Sequence, residues 1–314
     1  MTLQQLEYAV AVDRERHFAR AAETCHVTQP TLSMMIQKLE DELGLRLFDR
    51  SRQPVSLTRE GEVVLERARQ ILADVSRLKD AVAELRGSVA GEIHIGIIPT
   101  LAPYLLPVLL PRLQTHYPTL QLRIHELQTE RVHQALRDGT IDLALLATSV
   151  DEHPSLSSIS LFEEEFVAYV SPRESVFQKN YILPEDLSLT RLWLLEEGHC
   201  LRGQVQQICA LRPKSNEQQK LVYEAGSLET LINLVDAQGG ITVLPCLATR
   251  FLDPQRLNRI RVFAQPAPRR EVRLATAKSY ARMGILSAFK EEIIAVFNSL
   301  NTPLNMCAKH ESTN

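Results

Sequence analysis

The chain has 314 residues, of which 45% are hydrophobic, and its formal net charge at pH 7 is −3. This length is enough for two or three domains, and the composition is that of a globular protein rather than a disordered or fibrous one. The net charge excludes a strongly basic nucleic-acid-binding protein. It leaves room for a small DNA-binding domain within a larger neutral chain, because the charge that contacts DNA is local.

The N-terminus and the cysteines predict a soluble cytoplasmic protein that does not enter a membrane. Charged residues occupy positions 13–16, before any apolar run long enough for a secretory signal. The most apolar window, residues 101–111, is too short to span a bilayer. Thiols in the cytoplasm usually stay reduced, and the five cysteines cannot all be paired, so a disulfide would be transient or regulatory.

The first part of the chain has the periodicity of three helices. One begins near Leu3, a second covers about residues 18–25, and a third follows a short turn. Thr28 is placed to cap the third helix, Pro30 falls in its first turn, and Gly44 ends it. Its apolar residues recur every three or four positions, which predicts one buried face: Leu32, Ile36, Leu39 and Leu43.

A hairpin and a long helix follow. Residues 45–58 read as a β-hairpin wing around a polar tip. From about residue 58 to residue 86 the pattern predicts a helix whose apolar residues keep the four-three spacing of a coiled coil. We therefore expect a homodimer that pairs along Val64, Ala68, Ile71, Val75, Leu78, Val82 and Leu85.

Strands and helices alternate from residue 92 onward, which predicts βαβ units and a mostly parallel sheet. The expected strands are 92–98, 121–128, 141–148, 162–172, 191–198, 241–245 and 271–278. The expected helices are 99–118, 131–139, a short one after Cys200, 227–240 and 285–300.

The spacing of the second and third helices is typical of a helix–turn–helix motif that reads DNA. The N-terminal part of the second helix of such a motif enters the major groove, where glutamine, serine and threonine can hydrogen-bond base edges. The residues expected at that surface are Gln29, Pro30, Thr31, Ser33, Met34, Gln37 and Lys38. Arg50 and Arg52 on the wing are expected to contact phosphates. A three-helix packing unit with solvated polar residues is the alternative.

The stretch EEGHCLRGQVQQIC, residues 196–209, carries the most distinctive chemistry. Its potential metal ligands are His199, Cys200 and Cys209, two of which are sequence neighbours, and no second CxxC or HxxxH pair accompanies them. We therefore expect no metal and no cofactor. Cys200 is expected at the start of a helix, where the N–H groups and the dipole favour a thiolate. An accessible thiolate with a second cysteine nearby is typical of an oxidant sensor. The other cysteines, Cys25, Cys246 and Cys307, are expected to be inert.

The helix predicted after Cys200 is incompatible with a disulfide in this stretch. Leu201, Val205 and Ile208 share one helical face. Nine helical residues would separate Cys200 from Cys209 by roughly 13 Å, whereas a disulfide needs its Cα atoms within about 7 Å. Oxidation would therefore have to unwind residues 201–208, which makes this segment a two-state element.

Residues 18–50, followed by LTREG at 57–61, resemble the N-terminal signature of LysR-type transcriptional regulators, and the resemblance extends to about residue 300. It implies an all-α winged helix–turn–helix, a long dimerisation helix, and an α/β regulatory domain whose two lobes are similar to periplasmic binding proteins. The implied limits are 1–58 for the DNA-binding domain, 59–90 for the linker helix and hinge, 91–300 for the regulatory domain and 301–314 for a flexible tail. Lobe I would contain 91–164 and 268–300, and lobe II 165–267. The crossovers would lie near 163–165 and 265–269.

Four stretches, at 94–100, 125–129, 194–209 and 266–270, resemble the hydrogen-peroxide sensors of that family. The resemblance implies that Cys200 is the peroxidatic cysteine and Cys209 the resolving one. It implies a peroxide pocket lined by Thr100, Thr129 and His199, with Arg270 stabilising the thiolate. It further implies a regulator rather than an enzyme, acting as a dimer or tetramer. Its partners would be double-stranded promoter DNA, RNA polymerase, hydrogen peroxide and cellular thiol reductants.

Two other functions remain open from the sequence. One is a regulator of the same fold that binds a small-molecule effector between the lobes, with the cysteines incidental. The other is a peroxidase whose helical N-terminus only dimerises it. Residues 210–226 match the peroxide sensors worst, and no site residue is assigned there.

Overall fold

The computed structural model describes residues 1–84, 91–187, 192–208, 225–280 and 282–301. The chain divides into two compact units. One contains Met1–Ser88 and Arg137–Thr140, and the other contains Val89–Leu136 and Ile141–Asn314. None of the described helices is long and apolar enough to cross a membrane.

The N-terminal unit begins with three helices, as the periodicity predicted. They are α1 (Leu3–Glu15), α2 (Phe18–Thr24) and α3 (Gln29–Leu43). The predicted ends of α3 are confirmed: the Thr28 side chain accepts a hydrogen bond from the main-chain N–H of Thr31, and Gly44 ends the helix at φ 70°. A left-handed residue at this position favours glycine, which has no Cβ to clash.

The core of this unit lies where the three helices cross. Ala21 and Ala22 of α2 are buried and small, so the neighbouring helices can approach closely. The fully buried large side chains around them are Leu32, Ile36, Leu39, Leu47 and Leu65. Burial of each such side chain stabilises the fold by about 1.5–3 kcal/mol.

The wing and the long helix are both present. The wing is a short antiparallel hairpin of β1 (Phe48–Asp49) and β2 (Ser56–Leu57), and α4 follows as Arg59–Glu84. The predicted seam is wrong at its beginning, because Val64 and Ala68 pack into the core of the unit itself. Farther along α4, Ile71 and Leu78 are 39% and 68% exposed. Leu85, also predicted for the seam, lies outside the described residues.

The first lobe of the C-terminal unit is built on three parallel strands. They are β3 (Gly91–Ile97), β4 (Leu120–Glu126) and β5 (Leu143–Leu146), with β3 in the middle. The crossover helices α5 (Ala102–His116) and α6 (Thr129–Asp138) connect them.

Two long strands join this lobe to the second. β6 (Leu156–Val170) pairs antiparallel with β10 (Arg269–Ala277) up to Glu165, and with β8 (Ile241–Pro245) from Phe166 onward. The predicted crossing point near residues 163–165 therefore coincides with this change of partner. The expectation of a mostly parallel sheet is wrong, because both strands that run between the lobes lie antiparallel to their neighbours.

The second lobe contains the remaining elements: β7 (Tyr181–Ile182), α7 (Cys200–Ile208), α8 (Leu228–Gln238), α9 (Pro254–Leu257) and β9 (Ile260–Phe263). The closing helix α10 (Met283–Asn301) packs on α5 in the first lobe. The strand predicted at 191–198 is wrong, since the described part of that stretch makes only single bridges, from Leu192 to Ile241 and from Leu195 to Ala225. A 3₁₀ helix at Cys246–Phe251, α9 and β9 were not predicted. The combination of a winged helix–turn–helix, a long helix and a two-lobed α/β domain is confirmed.

Candidate functional site

Cys200 is the first residue of α7 and carries a partly buried free thiol. The turn before it is tight: Gly198 has φ 93°, and a Cβ there would lie 2.8 Å from Oε1 of Gln128. The positive φ favours glycine at this position, and a Cβ there would also displace the end of the Gln128 side chain. The turn places Cys200 at a helix N-terminus, as expected from the sequence.

His199, the residue before Cys200, is buried. Its Nε2 lies 3.6 Å from Oε1 of Glu196, and the same oxygen accepts a 3.1 Å hydrogen bond from Nε2 of Gln128. The main-chain N–H of Glu196 donates to the carbonyl of Ala225 over 2.9 Å. These contacts fix the histidine and attach the turn to the first lobe through Gln128.

The helix α7 has a buried face and is joined to the first lobe by a side-chain hydrogen bond. Leu201 and Val205 are buried, and Nε2 of Gln204 donates a 2.7 Å hydrogen bond to the carbonyl of Ala147. Gln204 is four residues after Cys200, so the two side chains lie on the same face of the helix. Cys200 therefore lies on the helix face that Gln204 joins to Ala147, the residue that directly follows β5.

The carboxyl ends of the three parallel strands meet at this site, the usual ligand position in such sheets. Thr100 follows β3, Thr129 follows β4, and Thr148 follows β5. Within the described residues, the buried Oγ1 atoms of Thr129 and Thr148 have no hydrogen-bond partner, and neither does Oε1 of Gln204. Buried polar atoms normally have partners, so each of these three atoms can hydrogen-bond a water molecule or a small polar ligand.

Arg270 is fully buried and its guanidinium is paired. Its Nε donates to Oε1 of Glu164 over 2.7 Å, and its Nη1 and Nη2 donate to Oγ1 and the carbonyl of Thr100 over 2.9 and 3.1 Å. The other carboxylate oxygen, Oε2 of Glu164, accepts a hydrogen bond from the main-chain N–H of Leu247 over 3.1 Å. One buried ion pair thus links residues of both lobes.

The residues predicted for the peroxide pocket form two groups. Thr100 and Arg270 are in direct contact, whereas His199 belongs to the group around Glu196 and Gln128, next to Thr129. The two groups share no hydrogen bond within the described residues, although all four predicted residues are buried. Sequence reasoning missed Glu164, Gln128, Glu196 and Gln204. Glu164 lies opposite Arg270 in the register of β6 and β10, which the sequence alone does not give.

The remaining cysteines fall into two classes. Cys209 and Cys307 lie outside the described residues. Cys25 and Cys246 are partly buried, and burial raises the pKa of the Cys25 thiol. In the part of the chain that the structure describes, no group of three or more histidine, cysteine, aspartate or glutamate residues could hold a metal ion.

The surface predicted to read DNA is largely exposed on α3. Gln29, Pro30, Thr31, Gln37 and Lys38 are exposed, and Ser33 is half-buried. On the wing, the Arg52 side chain is 73% exposed and lies 3.2 Å from Asp49. The Arg50 guanidinium turns back to α3 and pairs with Glu40, while its side chain stays 37% exposed. Its contact with phosphate stays a prediction.

Both parts of the chain match family models. Residues 3–62 match the bacterial regulatory helix–turn–helix proteins of the LysR family, and residues 86–298 match the LysR substrate binding domain. The chain belongs to the LysR family. It is therefore a helix–turn–helix transcriptional regulator and not an enzyme.

Among members of this family, the chain is similar in sequence and in structure to regulators named OxyR. The chain is 38% identical over 277 residues to the DNA-binding transcriptional dual regulator OxyR of Escherichia coli K12, covering 87% of this chain and 88% of that protein. A full-length OxyR variant from Pseudomonas aeruginosa is similar in structure, with a TM-score of 0.76, 33% identity, and coverage of 94% of this chain and 98% of that one. A Corynebacterium glutamicum OxyR mutant with bound hydrogen peroxide has a TM-score of 0.61 and 31% identity, covering 95% and 93%.

Proposed function

We propose that this LysR-family regulator senses hydrogen peroxide through Cys200 and a reversible disulfide between Cys200 and Cys209. The observation that carries the proposal is the position of Cys200, the first residue of a helix and the residue directly after buried His199. Its similarity to regulators named OxyR, one of them with bound peroxide, supports the same function.

The reaction has two steps. The Cys200 thiolate attacks one peroxide oxygen, so that an S–O bond forms, the O–O bond breaks, and hydroxide leaves to take up a proton. In this proposal His199 and Thr129 hydrogen-bond the peroxide and its leaving oxygen. The Cys209 thiol then attacks the sulfenic sulfur, which gives a disulfide and water. Cellular thiol reductants supply two electrons to restore both thiols. No metal or cofactor takes part.

Arg270 has a different place in this proposal from the one the resemblance implied. Its charge is already compensated by Glu164, and its remaining donors hold Thr100. We propose that Arg270 acts on the peroxide pocket chiefly by orienting Thr100, and adds little net positive charge near the thiolate.

The helix α7 supplies the conformational change. An intact helix from Cys200 to Ile208 spans about 12 Å between those Cα atoms. Cα atoms of consecutive residues are about 3.8 Å apart, so the Cα of the residue after Ile208 stays at least about 8 Å from that of Cys200. A disulfide needs a separation below about 7 Å. Disulfide formation therefore requires at least the C-terminal part of α7 to unwind. We propose that this unwinding breaks the Gln204 hydrogen bond to the first lobe.

The output of the switch is a change in DNA binding. We propose that a cytoplasmic homodimer or tetramer, paired along α4, presents its helix–turn–helix motifs to double-stranded promoter DNA. Refolding of α7 alters the contacts between regulatory domains and thereby the spacing of these motifs and the contact with RNA polymerase. The proposed limits are 1–58 for the DNA-binding domain, 59–90 for the linker and 91–300 for the sensor.

Substitution of the proposed peroxidatic cysteine tests this function. Purified wild-type, Cys200→Ser and Cys246→Ser proteins would be compared in transcription from a bound promoter, with and without peroxide. The proposal predicts that Cys200→Ser abolishes the peroxide response and that Cys246→Ser, the matched control, retains it. An undiminished response of the Cys200→Ser protein would disprove the redox proposal.

A second candidate function is regulation by a small-molecule effector. It is favoured by the buried polar cluster of Thr100, Glu164 and Arg270 between the lobes, in a domain that matches a substrate-binding model. In that case the Cys200→Ser protein would keep its full response to the effector, and peroxide would have no effect on either protein.

A further inference from the structure

Glu40 of α3 is a buried carboxylate with four hydrogen-bond donors around it. Its Oε1 accepts from the main-chain N–H groups of Leu47 and Phe48 over 2.8 and 3.3 Å. Its Oε2 accepts from Arg46 and Arg50 over 3.1 and 3.0 Å. The Glu40 side chain is only 1% exposed. A single residue of the recognition helix thus holds both the first residues of the wing and two arginines.

The second arginine, Arg50, is fixed from three sides. One Nη donates to Glu40 and the other lies 3.4 Å from Oγ of Ser33, a residue of the predicted DNA-reading surface. The guanidinium carbon lies 4.9 Å from the centre of the Phe18 ring, close enough for a cation–π interaction. The guanidinium is therefore held at the recognition helix and does not extend from the tip of the wing.

We propose that Glu40 is a positioning residue for specific DNA binding. Its carboxylate pre-orients Arg50 beside Ser33 and fixes the wing at Leu47 and Phe48, so that little side-chain freedom is lost when DNA binds. Glu40 itself does not contact DNA. The inference rests on DNA binding, which the whole family shares, and not on peroxide sensing.

Two views of Glu40 predict opposite effects on DNA affinity when its carboxylate is removed. A carboxylate near DNA repels phosphates, so its neutralisation should strengthen binding to any duplex. If Glu40 positions Arg50, however, its neutralisation weakens binding to the preferred duplex while leaving binding to other duplexes unchanged or stronger. Asp41 is exposed on the same helix and provides the matched control for the loss of one negative charge.

The test measures the dissociation constants of the full chain for two labelled duplexes. One is the duplex that the wild-type protein selects from a randomised pool, and the other is a shuffled duplex of equal length. We expect Glu40→Gln to weaken binding to the selected duplex by about 10-fold or more, the effect of one charge-assisted hydrogen bond. Binding of Glu40→Gln to the shuffled duplex should not weaken, and Asp41→Asn should weaken neither.

A double-mutant cycle with Arg50→Gln separates positioning from a general structural role. If Glu40 acts through Arg50, the loss caused by Arg50→Gln should be much smaller in the Glu40→Gln background than in the wild type. Equal losses in the two backgrounds would overturn the proposal. So would a Glu40→Gln protein that binds the selected duplex as tightly as Asp41→Asn does.

The proposal stays testable if Glu40→Gln does not fold, as judged by circular dichroism. Glu40→Asp keeps the charge, but its side chain is too short to reach the wing and Arg50 together. It should therefore weaken binding to the selected duplex, as Glu40→Gln is expected to do. An Arg50→Gln protein with unchanged selectivity would overturn the proposal whatever Glu40 does. Failure of the wild type to select any duplex would instead contradict DNA binding itself.

Discussion

Nε2 of Gln204 donates a 2.7 Å hydrogen bond to the main-chain oxygen of Ala147. This bond joins the helix that begins at Cys200 to the carboxyl end of β5 in the first lobe. Because disulfide formation requires α7 to unwind, the bond stabilises the reduced state and opposes oxidation.

Loss of this bond should favour the disulfide. Gln204→Ala removes about 1 kcal/mol of stability from reduced α7, so the sulfenic acid of Cys200 should convert to the disulfide about fivefold faster. Gln207→Ala, an exposed residue of the same helix, is the control and should leave the rate unchanged. Trapping the sulfenic acid with dimedone at successive times after a peroxide pulse measures the conversion. Equal conversion rates for the two variants would show that α7 does not limit this step.

The ion pair of Glu164 and Arg270 should be essential for the stability of the sensor domain. Glu164→Gln leaves a fully buried guanidinium without its counter-charge, which costs about 3–5 kcal/mol. The adjacent Glu163 is 60% exposed and lies 3.6 Å from Arg269, so Glu163→Gln should cost less than about 1 kcal/mol. Urea unfolding of both variants measures the difference. A similar loss in the two proteins would contradict the importance of the buried pair.

Features set by residues close in the sequence could be predicted better than features set by the pairing of distant segments. The limits of α3 follow from Thr28, Gly44 and the spacing of Leu32, Ile36 and Leu39, all of which act within the helix. The antiparallel pairing of β6 with β10 joins segments about a hundred residues apart, and no local pattern encodes it. Within the site, Cys200 and His199 could be predicted from the sequence because they are neighbours in one stretch.

The hydrogen-bond partners of the site residues could not be predicted, because they are distant in the sequence. The order of the strands in the sheet brings three of these partners to the site: Gln128, Glu164 and Ala147. The misassigned strand at 191–198 has a similar cause. Its apolar pattern is that of a strand, but Leu192 and Leu195 find different partners, Ile241 and Ala225, and no continuous ladder forms.

Glu292 of α10 should contribute to stability at neutral pH and lose that contribution at acid pH. Burial raises the pKa of this carboxyl, but hydrogen bonds from His116 and Arg112 outweigh it and hold the pKa below its usual value. A lowered folded pKa contributes stability above the unfolded pKa of about 4.3, and that contribution is lost as the pH falls through the folded pKa. The unfolding free energy of Glu292→Gln should therefore be lower than that of the wild type at neutral pH.

The difference between the two proteins should narrow as the pH falls below about 4.3. Urea unfolding at several pH values measures this, with the exposed neighbour variant Glu291→Gln as the control. A gap between wild type and Glu292→Gln that stays constant down to acid pH would refute the role assigned to this carboxylate.

The exposed apolar residues of α4 should form the dimer contact. Ile71→Asp and Leu78→Asp place a charge in the proposed seam, so each should shift the protein toward monomer in sedimentation equilibrium. Val63 is 61% exposed on the same helix but does not belong to the seam, and Val63→Asp is the control. Unchanged mass for both seam variants would mean that the chain associates through another surface.

Peptide mapping after a brief peroxide pulse tests the central claim most directly. Trypsin cleaves after Arg202, between the two cysteines, so a disulfide joins peptides that are otherwise separate. The account predicts that, without reduction, mass spectrometry finds the Cys200 peptide linked to the Cys209 peptide, and that thiol reductant separates them. Recovery of both cysteines as unmodified thiols, while peroxide still changes DNA binding, would contradict it.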